Sequence, residues 1–240
     1  MALGVTCFSF LLGNVCAYAE TPPREISDHG ERLVIEDLSP PWGSIGQVNV
    51  AGYRRRLECT GSLIASNVVI TAAHCVMDPW HRKPFPVDEI HFLGGVRGSK
   101  WLGHSRAKCL HFPPDYKYDG QPFSNDIVLI TLNDNIDNIA PSELDRTEAG
   151  GPKISLVHAA YPADRRYVLT AQFGCHLVAQ NQNLWLTDCN AHPASSGGPV
   201  FVQRKEGLKL AAIMVGAGPS GSIAVPLANW IDISAAHNCP

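Results

Sequence analysis

Apolar positions come in short bursts separated by Gly, Pro, Asn and Asp, and the bursts carry strand chemistry. From Ile45 onward they read GQVNVAG, LECTGSLIA, VVITAA, EIHFLGG, AKCLHF, DIVLITL, KISLVHAAY, VLTAQFGCHLVAQ, LWLTDC, PVFVQ, LKLAAIMVG and SIAVPL. Most are about four to eight residues long and rich in Val, Ile, Leu, Thr and aromatics, the composition of buried strands. Helical spacing emerges only at the end, where Leu227, Trp230, Ile231 and Ile233 recur within LANWIDISAAHN and predict a helix over 227–238. Many strands and one terminal helix predict an all-β sandwich or barrel, or a pair of barrels.

The polar stretch Asn133 to Pro152, containing NDNIDN and SELDRTEAGGP, predicts a solvated connection between two halves of similar size, 41–135 and 152–228. Its acidic start lacks the ligand spacing of a calcium loop. At the other end, an apolar run from Ala2 to Leu12 precedes Ala17-Tyr18-Ala19, a small-x-small pattern that predicts a signal peptide over 1–19 and export, extracellular or periplasmic. That run is too short and too broken by Gly13, Asn14 and Cys16 to span a bilayer, and no later stretch is long enough, so no stable membrane insertion is expected once it is removed. Residues 20–40, polar and Pro-rich with Arg24 and Arg32 as processing points, read as a propeptide or an N-terminal arm.

With 240 residues, 45% hydrophobic and 17% charged, the chain can bury a sizeable core. A formal net charge of −3 gives no broad basic field and excludes the electrostatic footprint of a nucleic-acid binder. Beyond the signal segment, Cys59, Cys75, Cys109, Cys175, Cys189 and Cys239 remain, an even set that in an exported chain favours three disulfides. No Cys-x-x-Cys points to zinc, and the cysteine spacings are those of loop closures.

Three separated stretches combine into one chemistry. In CTGSLIASNVVITAAHC a strand ending Val68-Val69-Ile70 runs into Thr71-Ala72-Ala73-His74-Cys75. Alanines leave the imidazole uncrowded, as a general base requires. In SNDIVLITL, Asp126 stands at the start of a strongly apolar strand. A carboxylate partly buried there needs hydrogen bonds, and a histidine Nδ1–H is the partner that offsets its desolvation. In HPASSGGPV, Gly197 and Gly198 let the backbone turn tightly after Ser196, exposing its hydroxyl among converging backbone N–H groups.

Taken in the order His, Asp, Ser, the motifs TAAHC (71–75), DIVLITL (126–132) and SGGPV (196–200) resemble the trypsin-like, chymotrypsin-fold serine peptidases. The resemblance runs from about Pro41 to the C-terminus. PPWGSIGQV, CTGSLIA and LTDCNAHPASSGGPV look most like the secreted bacterial trypsin-like and glutamyl-endopeptidase-like branch. It implies two perpendicular six-stranded antiparallel β-barrels and a C-terminal α-helix, with the active site between the barrels. It assigns His74 as general base, Asp126 as its orienting carboxylate, Ser196 as nucleophile, and the N–H groups of Ala194 and Ser196 as the oxyanion hole. The substrate is then a polypeptide, no metal or organic cofactor is needed for this chemistry, and the oligomeric state is left open. The same resemblance implies the disulfides Cys59–Cys75 and Cys175–Cys189, and with them Cys109–Cys239.

Departures from the family pattern sharpen the expectations. Digestive members carry an aspartate before the nucleophile, which pairs with the ammonium freed by zymogen cleavage; here Ser195 stands there, so activity is expected not to depend on that ion pair. Ala194 replaces the usual glycine, and a backbone conformation suited to glycine would make it a strained member of the oxyanion hole. By position, Asn190, Ala191, Met214, Gly216 and Gly218 line the substrate pocket. No aspartate stands at its base unless Asp188 reaches in, and Met214 takes the place where glutamyl endopeptidases have a histidine, so cleavage after an uncharged residue is expected. The rival reading is a catalytically weak or inactive homologue that uses the cleft as a binding module. Retention of His74, Asp126 and Ser196 together weighs against it.

Overall fold

The computed structural model describes residues 31–52, 55–114, 116–118, 123–145, 147, 154–181, 183–228 and 239. A short strand β1 (Leu33–Val34) precedes the long hairpin of β2 (Ile45–Gly52) and β3 (Arg55–Ala65), followed by β4 (Val68–Thr71). Two-residue strands β5 (Met77–Asp78) and β6 (Lys83–Pro84) form a small hairpin. Then come β7 (Ile90–Gly94), β8 (Gly103–His111) and β9 (Val128–Leu132). The remaining strands are β10 (Ser155–Ala160), β11 (Thr170–Gln180), β12 (Trp185–Thr187), β13 (Pro199–Arg204), β14 (Gly207–Gly218) and β15 (Gly221–Pro226).

These strands close twice. The first barrel runs β2-β3-β4-β9-β8-β7. The second runs β11-β10-β13-β14-β15-β12 and closes where β12 pairs with β11. Every barrel pairing is antiparallel. The predicted all-β pair of six-stranded barrels is therefore what forms. The helix predicted over 227–238 falls, from residue 229 on, outside the described residues, as does the signal segment 1–19.

The continuous apolar runs of the second half have a packing cause. Successive side chains of a strand face opposite ways, so an unbroken apolar run means that both faces are buried. Leu156, Val200, Ala212, Met214 and Ala224 fill the interior of the second barrel. Their immediate neighbours Val157, Phe201, Ile213 and Val225 belong instead to the large core that also contains Ile45, Leu63, Ile70 and Ile130 of the first barrel. Strand β8 is the contrasting case. Its Ser105 and Ala107 are buried while His104, Arg106 and Lys108 are exposed, the alternation of a strand with one wet face.

The connection between the halves departs from expectation. It is not simply solvated, because Ile136 and Ile139, interleaved among its polar residues, are buried in the shared core. Its far end is pinned by Asp145, whose N–H donates to the Leu210 carbonyl at 2.8 Å and whose carboxylate accepts from Arg204 Nε at 2.6 Å. Disulfides join Cys59 to Cys75, Cys175 to Cys189 and Cys109 to Cys239. The last ties two residues 130 apart, fastening the end of the chain to β8.

The described part of the N-terminal segment, from residue 31 on, is joined to the second barrel. Leu33 and Val34 pair with Ala171 and Thr170 of β11, and the Ile35 N–H donates to the Leu169 carbonyl at 3.0 Å. Glu36 forms an ion pair with Arg97, which extends the attachment to the first barrel.

Candidate active site

His74 occupies a 3₁₀ turn, Ala73–Val76, entered directly from β4. Its neighbours Ala72, Ala73 and Cys75 are fully buried, which fixes the backbone, while 35% of the imidazole side chain remains exposed. Asp126 lies between the turn Phe123–Asn125 and β9, and its side chain is 13% exposed. One carboxylate oxygen accepts the His74 backbone N–H at 2.8 Å, and the other meets His74 Nδ1 at 2.6 Å. With the Nδ1 proton held there, Nε2 carries the lone pair and is free to act as a base. Burial, together with the negative charge of Asp126, raises the Tyr116 hydroxyl above its ordinary range and keeps this neighbour neutral.

The loop His192 to Pro199 is shaped by its own amides. Ser195 N–H donates to the His192 carbonyl at 2.9 Å, Gly197 N–H to Met214 at 2.7 Å and Gly198 N–H to Ser195 at 2.9 Å. Among the described residues, the Ala194 and Ser196 amides have no such partner, so two donors of the same loop are left unspent. Ser195 is buried and its Oγ accepts the His192 N–H at 3.3 Å; Ser196 is half-exposed. The two adjacent serines thus have different environments, one structural and one accessible.

Three bonds bring this loop to His74. Thr60 of β3 donates its N–H to the Ser196 carbonyl at 2.9 Å, its neighbour Cys59 is disulfide-bonded to Cys75, and Cys75 adjoins His74. Thr60 Oγ1 also donates to the Ala194 carbonyl at 3.0 Å and accepts the Tyr161 N–H at 3.0 Å. Its own carbonyl accepts from Thr71 Oγ1 at 2.7 Å. Thr60 and Thr71 were not singled out by sequence; a threonine inside an apolar strand carries no local sign that its hydroxyl spans two barrels.

Ala194 has φ of +68°, the left-handed region that a Cβ disfavours by about 1–2 kcal/mol. The strain expected at this position is real, yet its amide already lacks a competing partner. Ala194→Gly is therefore expected to stabilise the fold by about 1 kcal/mol while kcat stays within about threefold. Urea denaturation and steady-state kinetics check this. A rise in kcat of about tenfold or more would mean that alanine distorts the hole.

The expected pocket residues are not all alike. Asn190 and Gly218 are exposed, Ala191 and Gly216 half-buried, and Met214 is wholly buried in the interior of the second barrel. What Met214 offers the site is its backbone, which receives Gly197 N–H and donates to Gly198 at 2.9 Å. The carboxylate of Asp188 is engaged on β11, accepting the His176 N–H and lying 3.6 Å from His176 Nδ1.

Asn190 is gripped by two buried residues that face each other across β10 and β11. Gln172 Oε1 accepts its N–H at 2.6 Å, and His158 makes a hydrogen bond to its backbone. The other ring nitrogen of His158, Nε2, has no partner among the described residues. Burial, reinforced by Arg32 and His192, lowers this histidine from 6.5 to about 4, against the Asn190 bond. The unfolded chain takes up a proton near pH 6.5 that the folded chain refuses until about pH 4. Stability is therefore full above 6.5 and falls as pH drops through that window, by about 3 kcal/mol. Urea midpoints between pH 7 and 4 should show a shallower slope in His158→Gln; an unchanged slope would remove His158 as its source.

Two Cys–His clusters deserve a chemical reading: Cys59, His74 and Cys75, and Cys109, His111 and Cys239. In both the sulfurs are joined as a disulfide, so neither cluster offers a thiolate to a metal ion.

Residues 40–231 match the trypsin family. The chain belongs to that family. A curated relative of this trypsin-family chain, the modular serine protease of Drosophila melanogaster, is 28% identical over 127 residues, covering 50% of this chain and 20% of that protein. The chain thus corresponds to about a fifth of the relative's length. Among solved structures, a Glu endopeptidase in complex with MPD is similar with a TM-score of 0.71 at 19% identity, covering 84% of this chain and 92% of that one. The protease Anisep from Arthrobacter nicotinovorans is similar with a TM-score of 0.62 at 20% identity, covering 77% and 89%. At these identities the two structures speak for the fold.

Proposed function

We propose that this trypsin-family chain is an exported serine endopeptidase that cuts polypeptides through His74, Asp126 and Ser196. The observation that carries the reading is the double hydrogen bond from His74 to the Asp126 carboxylate, at 2.8 and 2.6 Å. It fixes ring orientation and tautomer together. Ser196 Oγ attacks the scissile carbonyl carbon as His74 Nε2 takes the hydroxyl proton, and the carbonyl oxygen becomes an anion facing the Ala194 and Ser196 amides. Collapse breaks the C–N bond, and His74 returns the proton to the leaving amine. Water, deprotonated by the same Nε2, then hydrolyses the acyl-enzyme and restores Ser196.

Ser195 supports independence from an activating ammonium, because it is buried and bonded to the His192 N–H where an aspartate would seek a cation. Three disulfides among the cysteines that follow residue 19 support export to an oxidising compartment. No helix among the described residues is long and apolar enough to cross a membrane. Engagement of Asp188 on β11 supports cleavage after an uncharged, apolar or small residue. A peptide-library digest read by mass spectrometry tests this. Cuts concentrated after uncharged residues are expected; cuts after Arg, Lys or Glu would contradict the pocket assignment.

A further inference from the structure

We infer that the N-terminal arm holds the oxyanion hole in shape through an ion pair between Arg32 and Asp164, making both of them positioning residues for catalysis. The inference rests on the proposed activity and adds a route by which the arm controls it.

The route can be followed bond by bond. Arg32 immediately precedes β1, and its guanidinium grips Asp164 with both ends, Nη2 to Oδ2 at 2.7 Å and Nη1 to Oδ1 at 3.3 Å. Only 16% of the Arg32 side chain is exposed, so the arm's cation is laid into the surface rather than waving over it. Asp164 is the middle residue of the 3₁₀ turn Ala163–Arg165. The first residue of that turn, Ala163, donates its N–H to the Pro193 carbonyl at 2.8 Å. Pro193 and Ala194 share one peptide unit, whose N–H is the unspent Ala194 donor.

In a trans peptide the N–H points away from the C=O. Fixing the Pro193 oxygen on Ala163 therefore fixes the direction of the Ala194 N–H. The following peptide is held from the opposite barrel, where Thr60 Oγ1 donates to the Ala194 carbonyl. A residue at φ of +68° has an incentive to relax, and these two bonds oppose it. Thr60 is buried in a long strand, but the Ala163 turn lies at the surface, and Arg32 braces it at Asp164 while Gln47 and Glu58 hold Arg166, the residue that follows the turn. Asp164 here receives an arginine side chain, while Ser195 offers no carboxylate of its own.

The test uses the full chain with Arg32→Gln, Asp164→Asn and the charge-swapped pair Arg32→Asp with Asp164→Arg. Glu36→Gln, which cuts a second ion pair of the arm's described part, is the control. Loss of one oxyanion donor costs roughly 10²–10³ in rate, and loosening it should cost less, so each single variant is expected to lower kcat about tenfold with KM nearly unchanged. The swapped pair should recover most of the loss, and the control should match wild type. Amide hydrogen exchange at Ala163 gives a readout that needs no catalysis: it should quicken about tenfold in the single variants and not in the control. If the chain hydrolyses no substrate while Ala163 exchange responds in this way, the coupling stands and the proposed activity falls. Unchanged Ala163 exchange in both single variants, or a loss equally large in Glu36→Gln, would overturn the inference.

Discussion

Alanine in place of Ser196 is expected to leave a folded protein whose kcat has fallen by at least about 10⁴-fold, with substrate binding nearly intact. The size follows from what is lost. Without Oγ no acyl-enzyme forms, and only the amides of Ala194 and Ser196 remain to favour attack by water. Removing His74 should cost about as much, because the nucleophile and its base act as one unit and their losses do not add. Ser195→Ala separates the two serines. It deletes a 3.3 Å bond to the His192 amide, a structural contact, so it should retain most of the activity. Burst kinetics on an activated ester measure all three variants, and Ser195→Ala as damaging as Ser196→Ala would reverse the assignment.

Gly197→Ala is expected to be among the most destructive small changes at the described residues. At φ of +79° the backbone is already in glycine's region. An added Cβ would fall 2.0 Å from Thr71 Oγ1 and 2.1 Å from the Thr60 carbonyl, in the wall of the first barrel against which the loop packs. Neither can yield, since both are buried and bonded to each other. A cost of at least about 3 kcal/mol is expected, which lowers the melting temperature by about 10 °C in a domain of this size. Any protein that folds would carry a displaced Ser196, with kcat down by about 10²-fold or more. Gly174→Ala is the comparison, because its φ of +73° carries a similar backbone penalty with no atom within 4 Å of the new Cβ. It should cost about 1 kcal/mol and leave kcat alone. Equal melting curves for the two variants would refute the steric account.

Strand identity was legible in the sequence wherever burial is two-sided. DIVLITL became β9 with all of its residues Val128–Leu132 buried, and PVFV and AAIMV became strands shared by two cores. The elements missed are those that exist only through a partner. Leu33 and Val34 form a strand because β11 offers an edge, and both are exposed, so no hydrophobic pattern marks them. Ile136 and Ile139 were lost among polar neighbours in a stretch whose composition reads as solvated.

At the candidate site, the residues proposed to handle protons were legible as candidates because that chemistry demands rare local surroundings: a histidine among alanines, a carboxylate before an apolar strand, a serine before two glycines. The residues that hold them were not. Thr60, Thr71, His158 and Gln172 act through backbone groups far away in sequence, and a hydroxyl or amide inside a strand looks the same whether it spans two barrels or faces water. Met214 is a different case, since position alone placed it at the pocket while its side chain packs into the interior of the second barrel.

Intact-mass and peptide-level mass spectrometry after reaction with a fluorophosphonate tests the central claim most directly. The account predicts one adduct per folded chain, located on Ser196, absent from Ser196→Ala, and formed far more slowly in Asp126→Asn, where the His74 tautomer is no longer held. No adduct on the folded wild-type protein, or an adduct on Ser195, would contradict it.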